Sequence, residues 1–194
     1  MENRNRENFL VHVMNTGFER AAASFSKLIN QRVTITSAQS TVVRYDGNFS
    51  YLSEEQGEVY VLITRIIGEI SGKSFLIFSQ DESLEIFKAI GLKVQDTKLN
   101  EAFLLEIDNI MSASVISELS NALDLEIYGD VPQLVKMHAK ELKNFIGAEV
   151  NKDDPSNLIF SNTTFQFEER GSVHPQFIWE MSSRIFALIP ATKI

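Results

Sequence analysis

The stretch LNEAFLLEIDNIMSASVISELSNAL, residues 99–123, decides how the rest of the chain is read. On a wheel of about 100° per residue, Leu104, Ile107, Met111, Val115, Leu119 and Ala122 fall at spacings of three and four and form one apolar stripe. The stripe predicts an amphipathic helix laid on a sheet. Asp108 and Glu118 fall toward its edges, where snorkelling or solvent exposure is expected. The opposite face carries Glu106 and Asn109, neighbours on a helix surface, among the small residues Ala102, Ala113, Ser117 and Ser120. Phe103 and Ile110 flank this face. An ordinary solvated face would be crowded with Lys, Glu and Gln. Short side chains instead let another surface approach the backbone, either a partner's or that of the chain's other long helix.

Working outward, residues 4–29 read as a second long helix, with Phe9, Leu10, Val13, Ala21, Phe25 and Leu28 on its apolar side and Asn30 as its stop. Two short β-rich pieces follow, 33–36 and 41–45, with a turn at Asp46-Gly47. Residues 57–67 and 72–78 read as a hairpin rich in Val, Ile, Tyr and Phe. Asp81 is expected to cap a short helix over 82–90 that Gly91 ends. After Pro132 a weaker helical pattern runs to about residue 145, with Gly147 as terminator. Strands are expected over 158–167 and 176–188, joined by a turn at Gly171. This order of helix, strands, short helix, helix and strands is α+β.

The two long helices align as copies. Phe9 on Phe103 gives an offset of 103 − 9 = 94, which also superimposes Glu7 on Glu101, Leu10 on Leu104, Asn15 on Asn109 and Ser26 on Ser120. The chain is therefore read as one domain over 1–194, built from pseudo-repeats at about 1–94 and 95–194.

Composition excludes several function classes. Of 194 residues 44% are apolar, which suits a globular core, and no stretch approaches the roughly 20 apolar residues of a membrane span. The formal charge of −8 and the lack of a basic patch argue against nucleic acid. Cysteine is absent, in keeping with the cytoplasm. His12, His138 and His174 are scattered, so no metal site is expected, and no glycine-rich phosphate loop or nucleophile elbow occurs. Trp179, Phe177 and His174 offer a ligand-sensor reading, although aromatics in a terminal strand read first as core.

Glu106-Ile-Asp-Asn109, followed by 22 residues (110–131) and Pro132, resembles the signature of the CheC/CheX/FliY chemotaxis phosphatases. That signature is Asp or Ser, three residues, Glu, two residues, Asn, 22 residues and Pro. The run FLIFSQDESLEIF, 75–87, is similar to the family's strand and short helix, and the paired long helices resemble its internal duplication. The resemblance implies two pseudo-symmetric α-β repeats with two long helices packed on an antiparallel sheet. It also implies a phosphatase for an aspartyl-phosphorylated, CheY-like response regulator. Glu106 and Asn109 would be catalytic, and Phe103, Ile110, Ala113 and Pro132 would contact the partner. The chain would need no cofactor of its own, with Mg²⁺ residing on the regulator. A non-catalytic module of the same fold, binding a receiver or a CheD-like protein, is the alternative. A homodimer is left open.

The sequence departs from the signature in three places. Ala102 occupies the leading Asp or Ser position. The first repeat has His12 for Glu and Ala38 for Pro and keeps only Asn15, which predicts one working face per chain. No closing helix is expected after the last strand, which weighs against a CheD-like partner.

Overall fold

A computed structural model describes residues 2–44, 49, 52, 56–91, 97–150, 156–168 and 171–189. In chain order the elements are α1 (Glu2–Ile29), β1 (Val33–Arg44), β2 (Glu58–Gly68), β3 (Gly72–Ser79), α2 (Gln80–Ala89), α3 (Thr97–Leu123), β4 (Ile127–Gly129), β5 (Gln133–His138), α4 (Leu142–Glu149), β6 (Ser156–Phe167), β7 (Gly171–Val173), β8 (Gln176–Ser182) and α5 (Arg184–Leu188). The strands form one antiparallel sheet in the order β1-β6-β8-β3-β2-β4, with β5 also on β2 and β7 on β6.

The order reads alike from both edges, with β3 and β8 paired at the centre. Both central strands are buried almost throughout. Covered on both faces, each carries a continuous apolar run rather than an alternation, Phe75-Leu-Ile-Phe78 in β3 and Phe177-Ile-Trp179 in β8. On one face lie α1 and α3, packed over Leu62, Ile66, Leu76, Phe177 and Trp179. On the other, α4 brings Leu142 and Ile146 to Val61, Ile63, Phe75 and Ile178. Trp179 and Phe177 are thus core, which removes the ligand-pocket reading of the last hairpin.

The repeat extends to the helix ends. α1 stops at Ile29 and α3 at Leu123, an offset of 123 − 29 = 94. Each is followed by a residue in the left-handed region, Asn30 at φ 51° and Asp124 at φ 56°. In each case an N–H just beyond closes on a serine carbonyl, Gln31 on Ser26 and Leu125 on Ser120.

Several sequence expectations are corrected. β1 is a single strand through a bulge between Ser37 and Gln39 rather than two pieces. The cap of α2 is Ser79, whose hydroxyl accepts from the Glu82 N–H while Glu82 accepts from the Ser79 N–H, so Asp81 lies inside the helix. Residues 133–138 form strand β5, because β2 offers Glu58–Ile63 an antiparallel partner there. After a 3-10 turn at Ala139–Glu141, α-helix starts at Leu142 and passes through Gly147. β8 stops at Ser182, and α5 supplies the short closing helix that the second half was expected to lack. The ground for discounting a CheD-like partner falls with it. The Asp46-Gly47 turn lies outside the described residues.

Candidate functional site

Helix α3 is buried on two sides, against the sheet and against α1. The contact with α1 uses Val115, whose Cα would lie 2.7 Å from any Cβ on Gly17, together with the Phe25–Phe103 ring pair at 6.1 Å and an Arg20–Glu118 ion pair. Glu118 is therefore a buried partner of Arg20 rather than a snorkelling residue. The small-residue face is not used in this packing: Ala102, Glu106, Asn109, Ala113 and Ser117 are exposed. Ser120 is half-buried, its hydroxyl donating to the Leu125 carbonyl at 2.6 Å. Phe103 and Ile110 are half-buried and lie against the core.

Glu106 and Asn109 lie in a groove of about 340 Å³ lined by Ala102, Leu105, Glu106, Asn109, Gly129, Asp130, Val131 and Pro132. Strand register brings Pro132 there. Ile66 pairs with Gly129 and Ile63 with Gln133, so β2 advances 66 − 63 = 3 residues while its neighbour advances 133 − 129 = 4. The extra residue makes a bulge at 130–132 on the sheet edge, a place that tolerates proline because no ladder N–H is needed. The bulge in β1 falls at Ala38, and 132 − 94 = 38. Both halves thus bulge at equivalent positions, and only the second has proline.

Two further acids shape this region. Asp108, on the buried side of α3 between Glu106 and Asn109, is 0% exposed and accepts the Thr64 hydroxyl from β2 at 2.7 Å. Its Oδ1 has no hydrogen-bond partner. Burial pushes the Asp108 carboxyl up to about 7, and the Thr64 bond only partly offsets this. Snorkelling was thus the wrong expectation for Asp108 as well. Asp130 lines the groove itself. The Val131 N–H foremost, with help from Arg65, holds its carboxyl below the usual range against the opposing effect of burial.

The structure thus brings together Ala102, Glu106, Asn109 and Pro132, and leaves Phe103, Ile110 and Ala113 out of the groove lining. Sequence reasoning missed Asp130 and Val131, for which the only available signal was their place just before Pro132. In the first half, His12 is exposed, but Asn15 is half-buried with its carboxamide oxygen buried and unpaired. Among the described residues, no group of three or more His, Cys, Asp or Glu is placed to hold a metal, and no helix is long and apolar enough to cross a membrane.

No family model and no curated protein sequence matches the chain. Solved structures do. FliY of Thermotoga maritima superimposes with a TM-score of 0.71 over 97% of this chain and 97% of its own, at 14% identity. The chain has the CheC/CheX/FliY fold. CheX of Desulfovibrio desulfuricans gives a TM-score of 0.55 at 17% identity, over 88% of this chain and 97% of that one. FliM from a FliG–FliM complex of H. pylori gives 0.65 at 9% identity, over 94% and 97%. The CheC/CheX/FliY fold is thus shared by a chemotaxis protein, CheX, and by FliY and FliM, and at these identities the likeness speaks to fold alone.

Proposed function

We propose that the Glu106–Asn109 face docks on an aspartyl-phosphorylated, CheY-like response regulator and speeds hydrolysis of its acyl phosphate by orienting the attacking water. One observation carries this reading: a helix carboxylate, a helix carboxamide and a proline separated from it by 22 residues share one exposed groove. That convergence was implied by the signature's spacing and depends on a bulge that the spacing alone does not contain.

The phosphorylated regulator holds Mg²⁺ and a reactive acyl phosphate, so what a partner adds is position. Asn109 is neutral and both donates and accepts. It can hold water in line with the phosphorus without repelling phosphoryl oxygens. The water oxygen bonds to phosphorus, the bond to the aspartyl oxygen breaks, and carboxylate and inorganic phosphate leave. Glu106 pairs with the regulator's active-site lysine through a charge-assisted hydrogen bond and fixes the docked pose. The reading puts the protein in the cytoplasm and requires no metal of its own.

The test mixes the protein with phosphorylated receiver and follows phosphate loss. Asn109→Ala should lower the rate about a hundredfold, equivalent to roughly 2.7 kcal/mol of barrier, while still capturing the receiver. Glu106→Ala should weaken capture as well as rate. Wild-type rates in both variants would sink the catalytic assignment.

A second reading has its own support. Ala102 replaces the signature's Asp or Ser, and the fold is also that of a FliM solved with FliG. Both favour a non-catalytic binding module. Capture of phosphorylated receiver with its lifetime unchanged would select this reading.

A further inference from the structure

We infer that Asp130 and Arg65 clamp the lip of the groove and that Val131, held outward on this lip, is a contact residue for the docked receiver; the inference rests on the phosphatase reading of the same groove. The clamp has three bonds. The Asp130 N–H donates to the Arg65 carbonyl, Arg65 Nη2 donates to Asp130 Oδ2, and the Val131 N–H donates to Asp130 Oδ1, each at 2.8 Å. Both carboxylate oxygens are thus spent on fixing the bulge. The Asp130 carboxyl, held below the usual range, stays ionised around neutral pH and keeps the clamp closed.

Stability does not account for this pair. Arg65 is 60% exposed in its side chain, and ion pairs so exposed contribute little to folding. What the pair does set is geometry. A bulge leaves its extra residue without a ladder partner. The Asp130 carboxylate takes up the Val131 N–H, so the valine side chain can stand outward at 79% exposure while lining the groove beside Pro132. Arg65 also lies opposite Lys73 across β2 and β3, an unfavourable like-charge pair. Each cation is matched by its own acid, Lys73 by Glu149 at 2.8 Å and Arg65 by Asp130. Removing Asp130 would release both the N–H and the guanidinium.

The first half provides an internal control. Thr36, in regular register with Thr164, stands where the second half has Asp130 (130 − 94 = 36), and Ala38 stands in the bulge where the second half has Pro132. The acid of the clamp accompanies the half that carries Glu and Asn together.

Steady-state dephosphorylation of phosphorylated CheY-like receivers from the same genome tests the inference, together with affinity for the beryllofluoride-activated receiver. Asp130→Ala and Val131→Asp should each raise KM about tenfold and leave kcat within about twofold, the pattern of lost docking rather than lost chemistry. Asp130→Asn keeps one acceptor for the Val131 N–H and should fall between wild type and Asp130→Ala. Arg65→Met should follow Asp130→Ala. Val131→Asp changes an exposed side chain, so it reports on docking even where another variant fails to fold. An active wild type with unchanged KM in both Asp130→Ala and Val131→Asp overturns the clamp alone. A wild type that neither binds nor dephosphorylates any receiver overturns the phosphatase reading and this inference with it.

Discussion

Asp108 sits between the two residues assigned to catalysis yet faces the other way, fully buried against Thr64. Its carboxyl titrates near pH 7 in the folded chain and near 3.8 when unfolded. Between these values the folded state keeps a proton that the unfolded state has lost, so this group makes stability fall as pH rises from about 4 to about 7. Above both values the ionised carboxylate stays buried, and the accumulated loss is on the order of 4 kcal/mol. Asp108→Asn keeps an acceptor for Thr64 and removes the titration. It should raise the melting temperature at pH 8 and leave it nearly unchanged at pH 4. Parallel stability–pH curves for variant and wild type would refute a titrating Asp108. At this scale the sequence told part of the story. The spacing singled out Glu106, Asn109 and Pro132, which the fold places in one groove, whereas the burial of Asp108 was not legible, because an acid within an apolar stripe looks the same whether it reaches solvent or meets a threonine from another strand.

At the level of elements, patterns long enough to repeat were readable and short ones were not. Helices α1 and α3 run for many turns, so their stripes identify them, and the β2–β3 hairpin has two apolar strands around a glycine-marked turn. Residues 133–138 failed because Leu134, Val135 and Met137 fit either period over so short a run. Pairing with β2 made the choice, sending Leu134 to one face of the sheet and Val135 and Met137 to the other. The helix pair carries its own prediction. Gly17→Ala places a methyl 2.7 Å from the Val115 Cα, a backbone atom that cannot swing aside. Alanine favours helix by about 1 kcal/mol, but overpacking costs about 1–3 kcal/mol. Urea denaturation should show a net loss. A gain would mean that α1 can shift away from α3 freely.

Across the whole molecule, the sheet's two-fold order gives each half a long helix, a bulged outer strand and a closing helix, yet the halves are chemically unequal. The offset of 94 residues pointed to this duplication from the two long helices alone, because matching residues repeat there at a fixed spacing. It could not show that Asn15 and Asn109 differ in exposure, since that depends on how each helix rolls against its neighbours. Asn109 is exposed beside Glu106, whereas Asn15 is half-buried with an unpaired carboxamide oxygen and has His12 in the glutamate position. A half-buried carboxamide cannot reach water on a docked phosphoryl group, so a symmetric fold should bind its partner asymmetrically. Titration with beryllofluoride-activated receiver should saturate at one receiver per chain. Asn15→Ala should keep the dephosphorylation rate within about twofold of wild type, against the large loss expected for Asn109→Ala. Two receivers per chain, or comparable losses from the two alanine variants, would mean that the first half is a working site despite its altered residues.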